Sequence, residues 1–119
     1  MPKALPVIDM SAPVCCAPVA AGPVDDAAAL EVALRLKALA DPVRVKLMSL
    51  LLAGASEGQK GSDLAAVVGL SESTVSHHLG QLRRAGLVDA ERTGMTVVHR
   101  ARRDALAALC FVLDPDCCR

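Results

Sequence analysis

Five cysteines are the most reactive side chains of this sequence, and four of them form vicinal pairs, Cys15-Cys16 and Cys117-Cys118, with Cys110 seven residues before the second pair. No basic-then-apolar leader is present, prolines interrupt the first twenty residues, and no apolar run reaches bilayer length. A reducing, cytoplasmic compartment is therefore expected. There, clustered thiols serve as metal ligands or redox groups rather than as structural disulfides. Thiolates select soft ions, and three sulfurs without nitrogen or carboxylate suit trivalent arsenic or antimony, As(III) or Sb(III), which bind as pyramids. Alternatives are Cd(II) or Pb(II) at a thiol-rich site, or a disulfide or polysulfide switch. Candidate ligands are Cys15, Cys16, Cys110, Cys117 and Cys118. Cys110 and Cys117 would lie about 10.5 Å apart along a continuous helix, so sharing one ion requires Pro115 to turn the chain back. Alternatively, Cys15-Cys16 meet Cys110 from either subunit. No Gly-rich phosphate loop is present, and no organic cofactor is expected.

The second constellation is polar and basic. The chain balances 13 Lys and Arg against 13 Asp and Glu, but unevenly along its length. Residues 71–103 carry six arginines against Glu72, Asp89 and Glu91, whereas residues 1–34 carry Lys3 against four acids. A basic segment in a neutral chain is a candidate backbone-binding face for nucleic acid. A helix starting near Glu72 turns about 100° per residue, which places Val75, Leu79 and Leu82 on one face. The opposite face carries Ser73, His77, Gln81 and Arg84, flanked by Thr74 and Ser76. These groups can donate to phosphates or reach base edges in a major groove, and the Ser73–His77 end should enter deepest. Arg92 and Arg100, on the two runs that follow, are expected to track flanking phosphates or a narrow minor groove. Adjacent His77 and His78 diverge too far to share a metal, and His99 reads as structural.

The elements that must position these groups follow from caps and periodicity. Hydrophobic residues make up 53% of the chain and aromatics only 1%, so its core is Leu, Val and Ala, which favours helix. Helices are predicted from Asp25 or Asp26 to Leu39, and from an Asp41 cap with Pro42 first to Gly54. A short helix follows, capped by Ser62 or Asp63, with Leu64, Val67 and Val68 inward. After a turn at Gly69, Ser71 caps the helix from Glu72 to Ala85, which Gly86 closes. Two strand runs, Leu87–Arg92 and Met95–Ala101, read as a hairpin joined at Thr93-Gly94. A last helix runs from Arg103 to Leu113.

The expected fold is mainly α with a small β-hairpin, a winged helix-turn-helix. Residues 1–24, with five prolines, form a flexible Cys-containing arm. Residues 25–114 form the DNA-binding and dimerisation domain, and residues 115–119 a Cys-containing tail. The apolar stripes of the first and last helices exceed what so small a chain needs to bury, which predicts a homodimer on a palindromic double-stranded DNA operator. No catalytic constellation is apparent, because all three histidines fall in the DNA-binding region, and no enzymatic activity is expected.

Residues 36–51, LKALADPVRVKLMSLL, and 70–88, LSESTVSHHLGQLRRAGLV, resemble the ArsR/SmtB family of metal-responsive repressors. The resemblance covers about residues 28–113. It rests on Asp41-Pro42-Val43-Arg44 at the turn into the second helix and on Thr74-Val75-Ser76-His77-His78-Leu79 in the recognition helix. It implies a homodimer joined through the first and last helices that leaves its operator when an inducer binds. The chain departs from the family pattern at Glu72-Ser73, where Gln-Pro is frequent, and at Thr93-Gly94-Met95, which lacks a basic wing tip. It also lacks the Cys-Val-Cys-type box before the short helix, where Gly58–Ser62 stand, and the His ligands of zinc or nickel sensors on the last helix. The vicinal Cys pair on the arm is similar to that of some arsenic-sensing members. The further thiol that completes their site is missing at Ala55-Ser56, so the resemblance implies that Cys110 or the tail pair supplies it.

Overall fold

Three helices start where a short acceptor side chain meets otherwise unpaired amides. The computed structural model describes residues 8–14 and 18–116. In α1 (Asp26–Leu39) the Asp25 carboxylate accepts from the Ala28 amide at 2.8 Å. In α2 (Pro42–Ala53) Asp41 accepts from Val43 and Arg44 at 2.8 and 3.3 Å, with Pro42 in the first turn, where it has no amide to lose. In α4 (Glu72–Arg84) the Ser71 hydroxyl accepts from Thr74 at 3.2 Å. The last helix, α5 (Arg103–Leu113), ends two residues before Pro115 and follows the sequence expectation.

Two local expectations are corrected. The helix α3 (Gly61–Val68) has no side-chain cap from Ser62 or Asp63, because it starts earlier, directly after a strand. That strand, β1 (Gln59–Lys60), is too short for its alternation to be read from sequence. Within α3 it is Leu64 and Ala65 that are buried, while Val67 is 60% exposed.

The hairpin comprises β2 (Val88–Thr93) and β3 (Thr96–Ala101), and β1 adds antiparallel to β3, giving the sheet order β1-β3-β2. The tip is Gly94-Met95 rather than Thr93-Gly94, since Thr93 pairs with Thr96. Leu87 is not a strand residue. Its amide bonds back to Leu82 and its side chain is fully buried, so it closes α4 instead.

The main core is formed where α2, α3, α4 and the hairpin meet. It includes Leu47, Leu51, Leu64, Val75, Leu79, Leu82 and Leu87. Burying each such side chain contributes about 1.5–3 kcal/mol, which fixes α4 against α3 through the turn at Gly69. A second cluster joins Val32 of α1 to Leu109 and Val112 of α5, and includes Val14. Of the residues read as an arm, Met10 and Val14 pack against the body of the domain.

Candidate nucleic-acid interface and cysteine positions

The polar face of α4 is set by what its other face must bury. Val75, Leu79 and Leu82 are inside, so Ser73, Thr74, Ser76, His77 and Arg84 are exposed and Gln81 is half-buried. At the start of the helix the Ser71 hydroxyl donates to Thr74 Oγ1 at 2.8 Å and lies 3.2 Å from Ser73 Oγ. The first-turn hydroxyls therefore form one cluster at the positive end of the helix. A groove separates this end from the hairpin, and Lys60, Ser62, Ser73, Ser76 and Thr96 line it. Lys60 and Ser62 were not anticipated, because their place in the groove depends on the β1–β3 pairing.

Strand register decides the wing. Arg92 pairs with Val97 and shares a face with His99, whereas Arg100 pairs with Asp89 and shares a face with Glu91. The two arginines thus leave opposite faces of the hairpin. Arg100 also donates to Glu91 at 2.7 Å. Such a pair at the surface is worth at most about 1 kcal/mol, weak enough to exchange for a phosphate. Half-burial, and then the nearby Arg83 charge, hold the His99 imidazole below its ordinary pKa.

His78 was grouped in sequence with His77, yet it is half-buried and has a different role. Its Nδ1 accepts from Arg44 Nε at 3.1 Å, and Arg44 Nη1 donates to the Ala38 carbonyl at 3.2 Å. One guanidinium therefore links α1, α2 and α4. Asp41 sits beside this link. Burial opposes its ionisation, but the Arg44 and Val43 amides and the neighbouring Arg44 charge hold its carboxyl below the usual range. Lys37, Arg44, Gln81 and Arg84 line a basic cleft at this junction, and Met10 forms part of its wall. No periodicity pointed to the Arg44–His78 contact, since the partners are 34 residues apart.

Of the five cysteines, Cys110 is the one among the described residues. It is half-buried on α5 and disulfide-bonded. Cys15, Cys16, Cys117 and Cys118 lie outside the described residues. Among the described residues, no three His, Cys, Asp or Glu side chains are grouped to hold a metal ion. Val14, next in sequence to Cys15, is only 4% exposed and belongs to the cluster of Leu109, the neighbour of Cys110.

Residues 41–90, which run from the cap of α2 into β2, match the family of bacterial regulatory proteins of the arsR type. The HTH-type transcriptional regulator YgaV of Escherichia coli is 31% identical over 87 residues, covering 73% of this chain and 86% of that protein. The chain belongs to the ArsR family. A solution structure from Mycobacterium bovis, the homodimeric winged helix-turn-helix DNA-binding domain of a possible ArsR-family regulator, is also similar. It matches with TM-score 0.61 and 33% identity over 74% of this chain and 81% of that one. A crystal structure of a possible transcriptional regulator for arsenical resistance matches with TM-score 0.57 and 36% identity, over 63% and 75% of the two chains.

This ArsR-family chain is thus a DNA-binding transcriptional repressor with a winged helix-turn-helix, in a family of regulators and not of enzymes. Among the described residues, no helix is long and apolar enough to cross a membrane.

Proposed function

We propose that this ArsR-family protein acts in the cytoplasm as a homodimer. It binds a palindromic operator and releases it when cysteine thiolates take up As(III) or Sb(III). Ser73, Thr74, Ser76, His77, Gln81 and Arg84 enter the major groove, and Arg92 and Arg100 hold flanking phosphates. Dimer contacts come from α1 and α5, where Leu36, Phe111 and Leu113 are exposed apolar groups with no role in the monomer core.

The observation that supports the inducer reading is the packing of Val14 with Leu109 and Val112, since Cys15 follows Val14 in sequence and Cys110 follows Leu109. Cys15 is one residue step of about 3.8 Å from Val14, so this packing anchors the chain just before the vicinal pair. In this reading Cys15, Cys16 and Cys110 form a soft, sulfur-only site when reduced, with Cys117 and Cys118 as further donors. The likeness to a possible regulator for arsenical resistance agrees with this choice of ion over Cd(II) or Pb(II).

The test is operator release by reduced protein against arsenite, antimonite, cadmium, lead and zinc. Arsenite or antimonite should release DNA at the lowest concentration. If Cys15→Ser with Cys16→Ser, Cys110→Ser, and Cys117→Ser with Cys118→Ser all release DNA like the wild type, the thiol site is wrong.

The disulfide-bonded state of Cys110 favours one second reading, a dithiol switch. Two thiols would lose two protons and two electrons to peroxide, which becomes two waters, and the disulfide form would be the one that leaves DNA. Release by peroxide or polysulfide, with no response to any metal, selects that reading.

A further inference from the structure

Residues 9–14 follow a path fixed by main-chain contacts to three separate elements. Arg35 of α1 is 1% exposed, an unusual place for a cation, and its donors go to backbone carbonyls. Nη1 donates to Glu31 at 2.9 Å, and Nη2 to Ala12 at 2.9 Å and Asp9 at 3.5 Å. Arg102, at the entrance to α5, donates to the Ser11 carbonyl. The Arg102 amide in turn donates to the Leu87 carbonyl at 2.9 Å, just beyond α4. Gly86, with φ of 75°, closes α4, and a Cβ there would overlap the Met10 carbonyl oxygen. Asp9 accepts from the Ser11 amide at 2.9 Å, which bends the segment locally.

The two ends of this segment touch different parts of the machinery. Met10 packs on the main core and on the cleft that holds Gln81 and Arg84 of α4. Val14 packs with Val112 and with Leu109, which precedes Cys110 in sequence. Four residue steps from Met10 to Val14 span at most about 14 Å, so the two contacts are close enough along the chain for one to bear on the other. Carbonyl-directed clamps hold the backbone itself, so they transmit a shift whichever side chains the segment carries.

We propose that residues 9–14 are a strut that couples the thiol site to the recognition helix, with Arg35 and Arg102 as its positioning residues. The proposal rests on the thiol reading for the identity of the signal, but not for the coupling. Linkage makes the coupling reciprocal: if the strut reports to α4, operator DNA must also change the strut.

The experiment uses the reduced full-length protein and a labelled duplex that the wild type selects from a randomised pool. Amide hydrogen exchange is measured over residues 9–14 and 85–88, with and without duplex. Operator release by sodium arsenite and arsenite uptake, followed by sulfur-to-arsenic absorbance, are measured in parallel. In the wild type, duplex should change exchange in both segments, and arsenite should weaken binding by about tenfold, within the usual range of allosteric coupling. Arg102→Gln and Gly86→Asn should leave arsenite uptake intact, uncouple exchange at 9–14 from the duplex, and cut release to less than about twofold. Asn tolerates the backbone of Gly86 while its Cβ displaces Met10. Should Gly86→Asn lose its helical circular dichroism, Arg102→Gln carries the test alone.

Exchange at 9–14 that ignores the duplex in the wild type, or full release in a folded Arg102→Gln variant, overturns the strut. If arsenite neither binds nor releases DNA while the duplex still alters 9–14, the strut stands and the thiol reading of the inducer falls.

Discussion

Arg44 Nε donates to His78 Nδ1 at 3.1 Å, so the second helix of the domain holds the recognition helix through a single directed contact. The contact requires the His78 ring proton to sit on Nε2. Replacing Arg44 with Met strips His78 Nδ1 and the Ala38 carbonyl of a donor at a part-buried site. The expected cost is about 1–3 kcal/mol, seen as a lower urea midpoint with an unchanged slope. Arg44→Lys should not restore it, since an ammonium cannot span both acceptors as the planar guanidinium does. An Arg44→Met midpoint equal to the wild type would contradict the link.

His77 and Gln81 are on the outward face of α4, one exposed and one half-buried. Changing either to Ala should relax operator preference by about 1–3 kcal/mol where the contact to a base is bidentate. Competition between specific and scrambled duplexes at fixed salt measures this. The triple variant that also loses Arg84 should bind both duplexes equally. Retained preference in that variant removes these residues from base recognition.

Arg92 and Arg100 leave opposite faces of the wing, and of the two only Arg100 has an acidic partner among the described residues, Glu91. Arg92→Ala should weaken all sequences alike and reduce the log–log salt slope by about 0.9, the value for one lost phosphate contact. Glu91→Gln should increase affinity modestly for every duplex, because it frees Arg100 at a cost of at most about 1 kcal/mol. If both variants bind with the wild-type slope, the wing does not touch the backbone.

The half-buried His99 gives the fold a pH dependence of known sign. Burial holds its folded pKa below the ordinary value of 6.5, so the unfolded chain binds a proton that the folded chain refuses. Stability is complete above 6.5 and falls as pH drops from there through the depressed folded value. Urea titrations from neutral pH downward should show this loss, and His99→Gln should flatten it. An equally steep decline in His99→Gln would assign it to other groups.

The amino-acid sequence by itself determined the starts of α1, α2 and α4, the apolar face of α4 and the family, because each is encoded locally. Asp25, Asp41 and Ser71 cap amides two or three residues away, and Val75, Leu79 and Leu82 repeat with the helical period. Tertiary structure alone decided which polar groups meet. The pairing of β1 with β3 brought Lys60 and Ser62 to the groove beside α4, and one step of strand register sent Arg92 and Arg100 to opposite faces. Nothing local in the sequence marked Arg35, which is buried only because residues 9–14 pack over it and take its donors onto their carbonyls. Such contacts join residues 23 to 91 positions apart, and no local period encodes them, because they exist only once the core has brought the elements together.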